Sequence, residues 1–220
     1  LKAQNTKKID LKIRELSKSS LEELGNVQIT AINAKYYQIN VDSLLTQLEG
    51  IAYRETGGSG FTALIDFPHP EGSMHTYTAK GNGTMDAGLA SRYEQIRCFD
   101  ANGENGAFVK WDVTQHGLHV MIMTPGQPTI FIDPIVSGND DYYIVYHKSE
   151  FSTTKTKDCY FNSETEGLKE TQGPISKFQT PYASCELRTY RLALAATGEY
   201  TSFHGGTVGD ALAAQVTTMN

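Results

Sequence analysis

The feature that most constrains the fold of this chain is a series of short strand-like segments between residues 61 and 147. The segments are rich in β-branched and aromatic residues and recur roughly every 8 to 12 residues. In chain order they read FTALIDF, SMHTYTA, QIRCF, AFVKWDV, LHVMIM, TIFID and YYIVYH. Turn-forming stretches such as PHPEG, NGENG, TPGQP and SGNDD separate several of them. The pattern predicts a β-meander that begins with a hairpin.

Other elements are predicted around this series. Residues 1–24 carry apolar side chains at a loose helical spacing, which predicts a mobile N-terminal helix. Residues 35–41 read KYYQINV and predict a strand, and Asp42 is a suitable N-cap for the short helix expected after it. Within the series itself, residues 86–93 predict about two turns of helix.

The pattern changes after Tyr146. Polar residues, glycine and proline dominate residues 149–184, as in a long linker. The sequence LRTYRLALAATGEY then predicts a strand over residues 187–200, and residues 208–219 follow as a helix with alanine and leucine at helical spacing. One strand and one helix cannot enclose a core, since even domains of about 60 residues are marginal. We therefore expect that a second domain begins here and is incomplete.

These segments together predict an α+β chain with four parts. The parts are an N-terminal helical or mobile segment at 1–34, a β-rich domain at 35–148, a linker at 149–186, and the strand and helix at 187–220. We expect the strand and helix of the last part to be poorly packed unless another polypeptide supplies the rest of their sheet.

Charge and hydropathy exclude two classes of partner. The chain has 19 basic and 25 acidic residues and a net charge of −6, so it has no excess positive charge with which to displace counterions from nucleic acid. No stretch approaches the roughly 20 apolar residues that cross a bilayer.

The first twenty residues lack the apolar region of a signal peptide, so we expect that a targeting segment has been removed and that the protein is secreted.

No common catalytic or cofactor motif occurs in the sequence, whether HExxH, GxSxG, the P-loop, paired CxxC or an EF-hand loop. We therefore assign no catalytic and no cofactor-binding residue. His116 and His119 form an HxxH pattern, but Gly117 and the apolar flanks predict a strand, in which these two side chains point to opposite faces. They are not expected to share a metal. His69 lies within the PHPEG turn and His75 follows it, and both are expected at the surface.

The three cysteines have different surroundings. Cys98 lies in the apolar segment QIRCF and is expected in the core. Cys159 lies in the polar linker beside Lys155 and Lys157, whose charges favour the thiolate that binds metal. The alternative is a disulfide between Cys159 and Cys185, which would close a loop of about 26 residues and contribute up to about 3 to 4 kcal/mol. The residues leave both alternatives open.

Two longer stretches carry a family resemblance. The first comprises FPHPEGSMHTYTA, MDAGLASRYEQIRCF, VKWDVTQHGLHVMIM, TIFIDP and YYIVYHKSEF, and the second is LRTYRLALAATGEYTSFHGGTVGDALAAQVTTMN. The first resembles the pro-segment of secreted bacterial reprolysin-like (adamalysin-type) zinc metallopeptidases, which are metzincins. The second resembles the opening strand and helix of that family's catalytic domain, nearly without gaps. Together the two cover most of residues 36–220.

The resemblance implies a zymogen whose zinc site, HExxHxxGxxH with a Met-turn, lies beyond residue 220. The pro-segment would cover the active-site cleft of its own downstream peptidase domain, and a thiolate would occupy the zinc position that otherwise holds water. Cys159 is the first match for that thiolate and Cys185 the second. Because exposed polar linkers are preferred sites of proteolysis, we expect an activating protease to cut between Cys159 and Arg188.

A second hypothesis describes the chain as an extracellular β-rich binding module without enzymatic activity. Aromatic side chains would then serve a surface, namely those of Phe131, Tyr142, Tyr143 and Tyr146. Their alternation along strands favours a core role instead. A downstream HExxHxxGxxH in the encoding gene would support the zymogen, and an unrelated downstream domain would support the binding module.

Overall fold

A computed structural model describes residues 5–17, 20–21, 27, 29–51, 61–136, 139–153 and 192–220. Residues Leu1–Thr154 and Ala196–Asn220 belong to one compact unit. Cys159, Cys185 and nearly all of the predicted linker lie outside the described residues. The fold is mixed α and β, with one large sheet and a few short helices, in agreement with the predicted α+β class.

The strands in the described ranges are β1 (Thr6–Ile9), β2 (Arg14–Glu15), β3 (Ile29–Ala31), β4 (Lys35–Gln38), β5 (Thr62–Pro68), β6 (Met74–Gly81), β7 (Arg97–Asn102), β8 (Phe108–Thr114), β9 (Gly117–Met123), β10 (Ile130–Val136), β11 (Asn139–His147) and β12 (Phe151–Thr153). Ten of these described strands form one sheet in the order β1-β5-β6-β7-β8-β9-β10-β11-β4-β2. Strands β3 and β12 form a separate antiparallel pair.

The predicted meander is confirmed. Strands β5 to β11 are neighbours in sequence order, and each adjacent pair is antiparallel. Strand β4 adds to β11 at one end, and β1 adds parallel to β5 at the other. The meander places alternate residues of each strand on opposite faces of one sheet.

The N-terminal segment brings the two edges of the sheet together. Strand β1 lies at one edge and β2 at the other, yet only residues 10–13 separate them. Side chains from β1, β2, β4, β5 and β6 consequently line one cleft. The sheet therefore curls until its first and last strands approach each other.

The helix predicted over residues 1–24 is wrong for the part of that segment that the structure describes. Ile9 and Leu11, two positions apart, are both buried in the main core, which is the period of a strand and not of a helix. The lysines of β1 remain exposed and one of them, Lys8, pairs with Asp66 at 3.0 Å. Pairing with the sheet edges overrides the weak helical spacing of this segment.

The helices in the described ranges are α1 (Val41–Gln47), α2 (Ala87–Arg92), α3 (Gly198–Phe203) and α4 (Val208–Met219). The cap of α1 is Asn40 and not the expected Asp42, since Asn40 Oδ1 accepts from the Ser43 amide at 2.7 Å. Helix α2 falls within the predicted residues and is capped by Asp86. Among the helices that the structure describes, none has the length and apolar character needed to cross a bilayer.

The main core fills the inside of the curl and is centred on Trp111. This side chain is fully buried and stacks on Phe99 with ring centroids 4.0 Å apart. Trp111 and Phe67 are in an edge-to-face arrangement, with centroids 5.7 Å apart. Strands β5, β7 and β8 thus each place one large aromatic ring into the same volume.

A second core lies on the outside of the sheet beneath β3 and β12. Ile135, Ile144 and Tyr146 are buried there, and Phe131 and Tyr142 pack against them. Tyr143, which points to the other face, is fully buried in the main core. The aromatic residues proposed for a binding surface therefore pack within the protein.

The C-terminal residues differ from the expectation in two ways. Residues 192–197 form no strand, and Leu192 and Leu194 are exposed. Helix α4, in contrast, is packed, because Ala213 and Val216 are buried against Cys98. The expectation that this tail is poorly packed or needs another chain is wrong for α4, which the outer face of the sheet covers.

We expect the substitution Trp111→Ala to destabilise the fold by about 3 to 5 kcal/mol, because it removes the ring that three strands share and leaves a cavity. Urea unfolding followed by circular dichroism measures this difference. Phe203→Ala, at an aromatic residue that is 48% exposed, serves as the control and is expected to change stability by less than about 0.5 kcal/mol. Equal effects of the two substitutions would contradict the assigned core.

Candidate functional site

Two groups of titratable side chains and one interface stand out in the described residues. His69, Glu71 and His75 form the first group, the histidine cluster, at the β5–β6 turn. Asp112, His119 and Asp133 form the second, the charged row, across β8, β9 and β10. The interface joins α4 to the outer face of β7 and β8.

The histidine cluster is built on a tight turn that two backbone hydrogen bonds close. The amide of His69 donates to Ser73 O, and the amide of Gly72 donates to His69 O, both at 2.9 Å. Gly72 has a φ of +93°, a backbone conformation that residues other than glycine rarely adopt. The register then pairs His75 with Phe67, so that the turn folds the two histidines towards each other.

Contacts within the histidine cluster are short. His69 Nδ1 lies 3.5 Å from Glu71 Oε1, and His75 Nε2 lies 3.9 Å from the same oxygen. The two imidazole rings stack with centroids 3.9 Å apart. Ser73 Oγ donates to Glu71 Oε1 at 2.7 Å and lies 2.8 Å from His75 Nε2.

The members of the cluster differ in exposure and in pKa. His69 is only 9% exposed, and burial together with the nearby charge of His75 lowers its pKa. Burial by itself would raise the pKa of Glu71. Hydrogen bonds from Ser73 and from the Glu71 backbone, together with the charges of the two histidines, outweigh burial and lower this pKa. At neutral pH the cluster therefore presents a neutral buried imidazole beside a carboxylate.

Two further side chains belong to the surroundings of His69. Its Nε2 lies 2.8 Å from the Tyr77 hydroxyl, and burial raises the pKa of Tyr77 to about 12, so the hydroxyl stays protonated. The charge of His147 also contributes to the lowered pKa of His69, and His147 Nδ1 is buried and has no hydrogen-bond partner among the described residues.

The charged row follows from sheet register. Asp112 and His119 are directly paired residues of β8 and β9, and the pairing of Ile132 with Val120 places Asp133 beside His119 on the next strand. His119 Nδ1 lies 3.5 Å from Asp112 Oδ1. A row of carboxylate, imidazole and carboxylate thus runs across the outer face.

The protonation of this row departs from ordinary values. Burial opposes a charged His119, but Asp112 and Asp133 outweigh burial and raise its pKa. Burial raises the pKa of Asp133, although His119 and the 2.8 Å hydrogen bond from the Tyr146 hydroxyl oppose this effect. Asp112 is buried, whereas His119 and Asp133 are partly exposed, so the row holds a close charge pair of His119 and Asp112 without a hydrogen bond at the edge of solvent.

The interface between α4 and the sheet has an apolar centre and a polar margin. Its centre is formed by Cys98 and the residues that bury it, which are Ile96, Ala213 and Val216. At its margin, Thr217 Oγ1 donates to Asp112 Oδ1 at 2.8 Å, and Asn220 Nδ2 donates to Trp111 O at 2.8 Å. His116 Nε2 lies 3.1 Å from Asp210 O at the start of the helix. These contacts link α4 to the charged row.

The predicted metal ligands Cys159 and Cys185 lie outside the described residues, so the alternatives of zinc ligation and disulfide formation stay predictions. Cys98 is buried and unpaired, and burial raises its pKa to about 12. Its thiol is therefore protonated at neutral pH and does not offer a thiolate. His116 and His119 make separate contacts, the first with α4 and the second with Asp112.

The histidine cluster was missed by the sequence reasoning. The expectation that His69 lies at the surface is wrong, since this residue is buried, whereas His75 is half exposed. The signal was present in the sequence, because a five-residue turn between two strands keeps the residues at its two ends close together. The charged row carried no such signal, because its residues are up to 21 positions apart in the chain.

Comparisons of the chain with protein-family models, with curated proteins and with solved structures found no match.

We expect the substitution His119→Gln to remove a pH-dependent part of the stability. Because the folded state raises the pKa of His119, its stabilising contribution is fully present below the ordinary histidine value of about 6.5 and is lost as the pH rises through the folded-state pKa. The free energy of unfolding of the parent minus that of the variant should be larger at about pH 5.5 than at about pH 9. Urea unfolding at both values measures it.

His75→Gln is the matched control, since it changes the same residue type at a half-exposed position away from the charged row. Asp112→Asn removes the main partner of His119 and should reduce the pH dependence in the same way as His119→Gln. A stability difference between parent and His119→Gln that does not vary with pH would refute the assigned ion pair.

Proposed function

We propose that this chain contains the pro-region of a secreted zinc metalloendopeptidase zymogen and acts in the folding and latency of the catalytic domain. The resemblance of two stretches to reprolysin-like peptidases motivates the proposal. On that view the sheet of β1 to β11 belongs to the pro-region, and residues 187–220 belong to the peptidase domain.

The single observation that supports this function best is the contact between α4 and the sheet. Ala213 and Val216 of the proposed peptidase part are buried against Ile96 and Cys98 of the proposed pro-region. A pro-region that assists folding must bind an early element of its client, and an apolar helix face seated on a preformed sheet meets that requirement.

Polar contacts give this interface a defined register. Asn220 Oδ1 accepts hydrogen bonds from Asn82 Nδ2 at 2.7 Å and from Thr84 Oγ1 at 3.0 Å. Asp210, at the other end of α4, accepts from Gln115 Nε2 at 3.4 Å. Both ends of the helix are therefore fixed by side chains of the sheet or its loops, and a slide by one turn would leave these groups unpaired.

Latency is assigned to a cysteine of the segment between the two parts. Catalytic zinc keeps one coordination position for water, and a thiolate in that position removes the nucleophile of hydrolysis. Cys98 does not fit this role, because it is buried and its pKa is raised to about 12. Cys159 remains the first candidate and Cys185 the second.

The binding-module hypothesis finds less support. Tyr143 and Tyr146, two of the four aromatic residues on which it depended, are buried, and Phe131 stacks on Tyr146 with ring centroids 5.9 Å apart. Tyr143 and Tyr146 stabilise the protein from within its cores and are not available to a partner.

We expect the substitution Ala213→Glu to prevent proper folding of the full-length secreted protein, because it places a charge in the apolar centre of the interface without a partner. Secreted yield should fall at least several-fold, measured by quantitative immunoblotting. Thr218→Glu introduces the same charge on the exposed side of α4 and is expected to preserve the yield. Equal yields of the two variants would contradict a folding role for this interface.

Activation provides the test of latency. We expect limited proteolysis of the full-length protein between Cys159 and Arg188 to raise its hydrolysis of a peptide substrate, and a zinc chelator to abolish the new activity. Sequencing the N-terminus of the active product locates the cut. A product that begins well outside this window, or full-length protein without peptidase activity after cleavage, would overturn the proposed function.

A further inference from the structure

We propose that His69, Glu71 and His75 bind one divalent ion of a late first-row transition metal, through His69 Nδ1, Glu71 Oε1 and His75 Nε2. Two imidazoles and one carboxylate are the donor set that suits zinc, nickel or copper, whereas magnesium and calcium prefer oxygen donors alone. This site is separate from the predicted zinc centre of the peptidase and does not depend on the proposed function.

Distances between the donor atoms are close to those of a metal site. Ligand atoms around a tetrahedral zinc ion lie about 3.3 Å apart, given bonds of about 2.0 Å. The two contacts to Glu71 Oε1 measure 3.5 Å and 3.9 Å, and all three donor atoms lie within 4.8 Å of one another. The two imidazole planes are nearly parallel, 16° apart with ring centroids 3.9 Å apart, so the half-exposed side chain of His75 must rotate before both nitrogen lone pairs can meet one ion.

The most buried ligand is already oriented. When His69 Nε2–H donates to the Tyr77 hydroxyl oxygen at 2.8 Å, the lone pair of the ring lies on Nδ1, the atom that faces Glu71. Hydrogen bonding of the second ring nitrogen is the usual way in which proteins orient a metal-binding histidine. The neutral imidazole that binding requires is also the form that burial of His69 favours.

The remaining ligands can adjust at low cost. The side chains of Glu71 and His75 are 57% and 50% exposed, so each can rotate without disturbing the core. Their main chains are held by the hydrogen bonds of the turn, so binding costs little backbone entropy. Since Ser73 Oγ donates its hydrogen to Glu71 Oε1, it accepts from His75 Nε2–H; metal binding would break this contact and move the His75 proton to Nδ1, which frees the Nε2 lone pair.

Zinc titration of the purified chain tests this site. The cysteines of the linker could bind the same ion, so the Cys159→Ser and Cys185→Ser substitutions are introduced together as the background. We expect this background protein to bind one zinc ion per chain with a dissociation constant below about 100 μM, measured by calorimetry and by competition with a chromophoric chelator. Magnesium should produce no binding signal.

Two substitutions assign the ligands. His75→Ala and Glu71→Gln change exposed side chains and should preserve the folded spectrum, but each should weaken zinc binding at least tenfold. Zinc should raise the melting temperature of the background protein and not that of His75→Ala. His204→Ala, a histidine of the C-terminal segment outside the cluster, is the matched control and should bind zinc as the background protein does.

The proposal is overturned by any of three results. These are the absence of zinc binding below about 100 μM, binding that His75→Ala and Glu71→Gln leave unchanged, and binding that His204→Ala removes. None of these results bears on peptidase latency, which the proteolysis experiment decides separately. Failure of the metal site and failure of the proposed function are therefore distinguishable.

Discussion

The curl of the sheet is the constraint on which the rest of this structure depends. Antiparallel pairing from β5 to β11 gives each strand one inward and one outward face, and the segment of β1 and β2 brings the sheet edges together. Inside the curl, Trp111, Phe99 and Phe67 fill a common volume. Because the inside is already filled, every additional element must pack on the outside or at the ends.

The outer face is where this protein departs from a simple curled sheet. One part is covered by β3 and β12, another by α4, and between them runs the charged row of Asp112, His119 and Asp133. Thr217 connects α4 to Asp112, so the helix and the ion pair share one carboxylate. Ionisable groups in such a layer keep their charges only when they are paired. At His119, burial lowers the pKa, and the neighbouring carboxylates of Asp112 and Asp133 raise it.

Much of the fold could be predicted because the signals were local. Alternating apolar residues and turn residues located the meander, and DAGLASRY located α2. The N-terminal strands could not be predicted, since Ile9, Ile13 and Leu16 fit a loose helical spacing until their pairing partners are known. Likewise, the apolar stretch at 192–197 has strand propensity but forms no strand in the described residues. In both segments the tertiary contacts, and not the propensity of the residues, decide whether a strand forms.

The sequence by itself determined the order of the strands, the turn that joins β5 to β6, and the burial of Cys98, because each depends on neighbours within a few residues. Only the tertiary structure decided that His69 faces Glu71 and Tyr77, that His119 lies between two carboxylates, and that α4 covers Cys98. Residues as distant as Asp112 and Thr217 meet because register and curl bring them together. The spacing of residues along the chain and their composition do not predict these contacts.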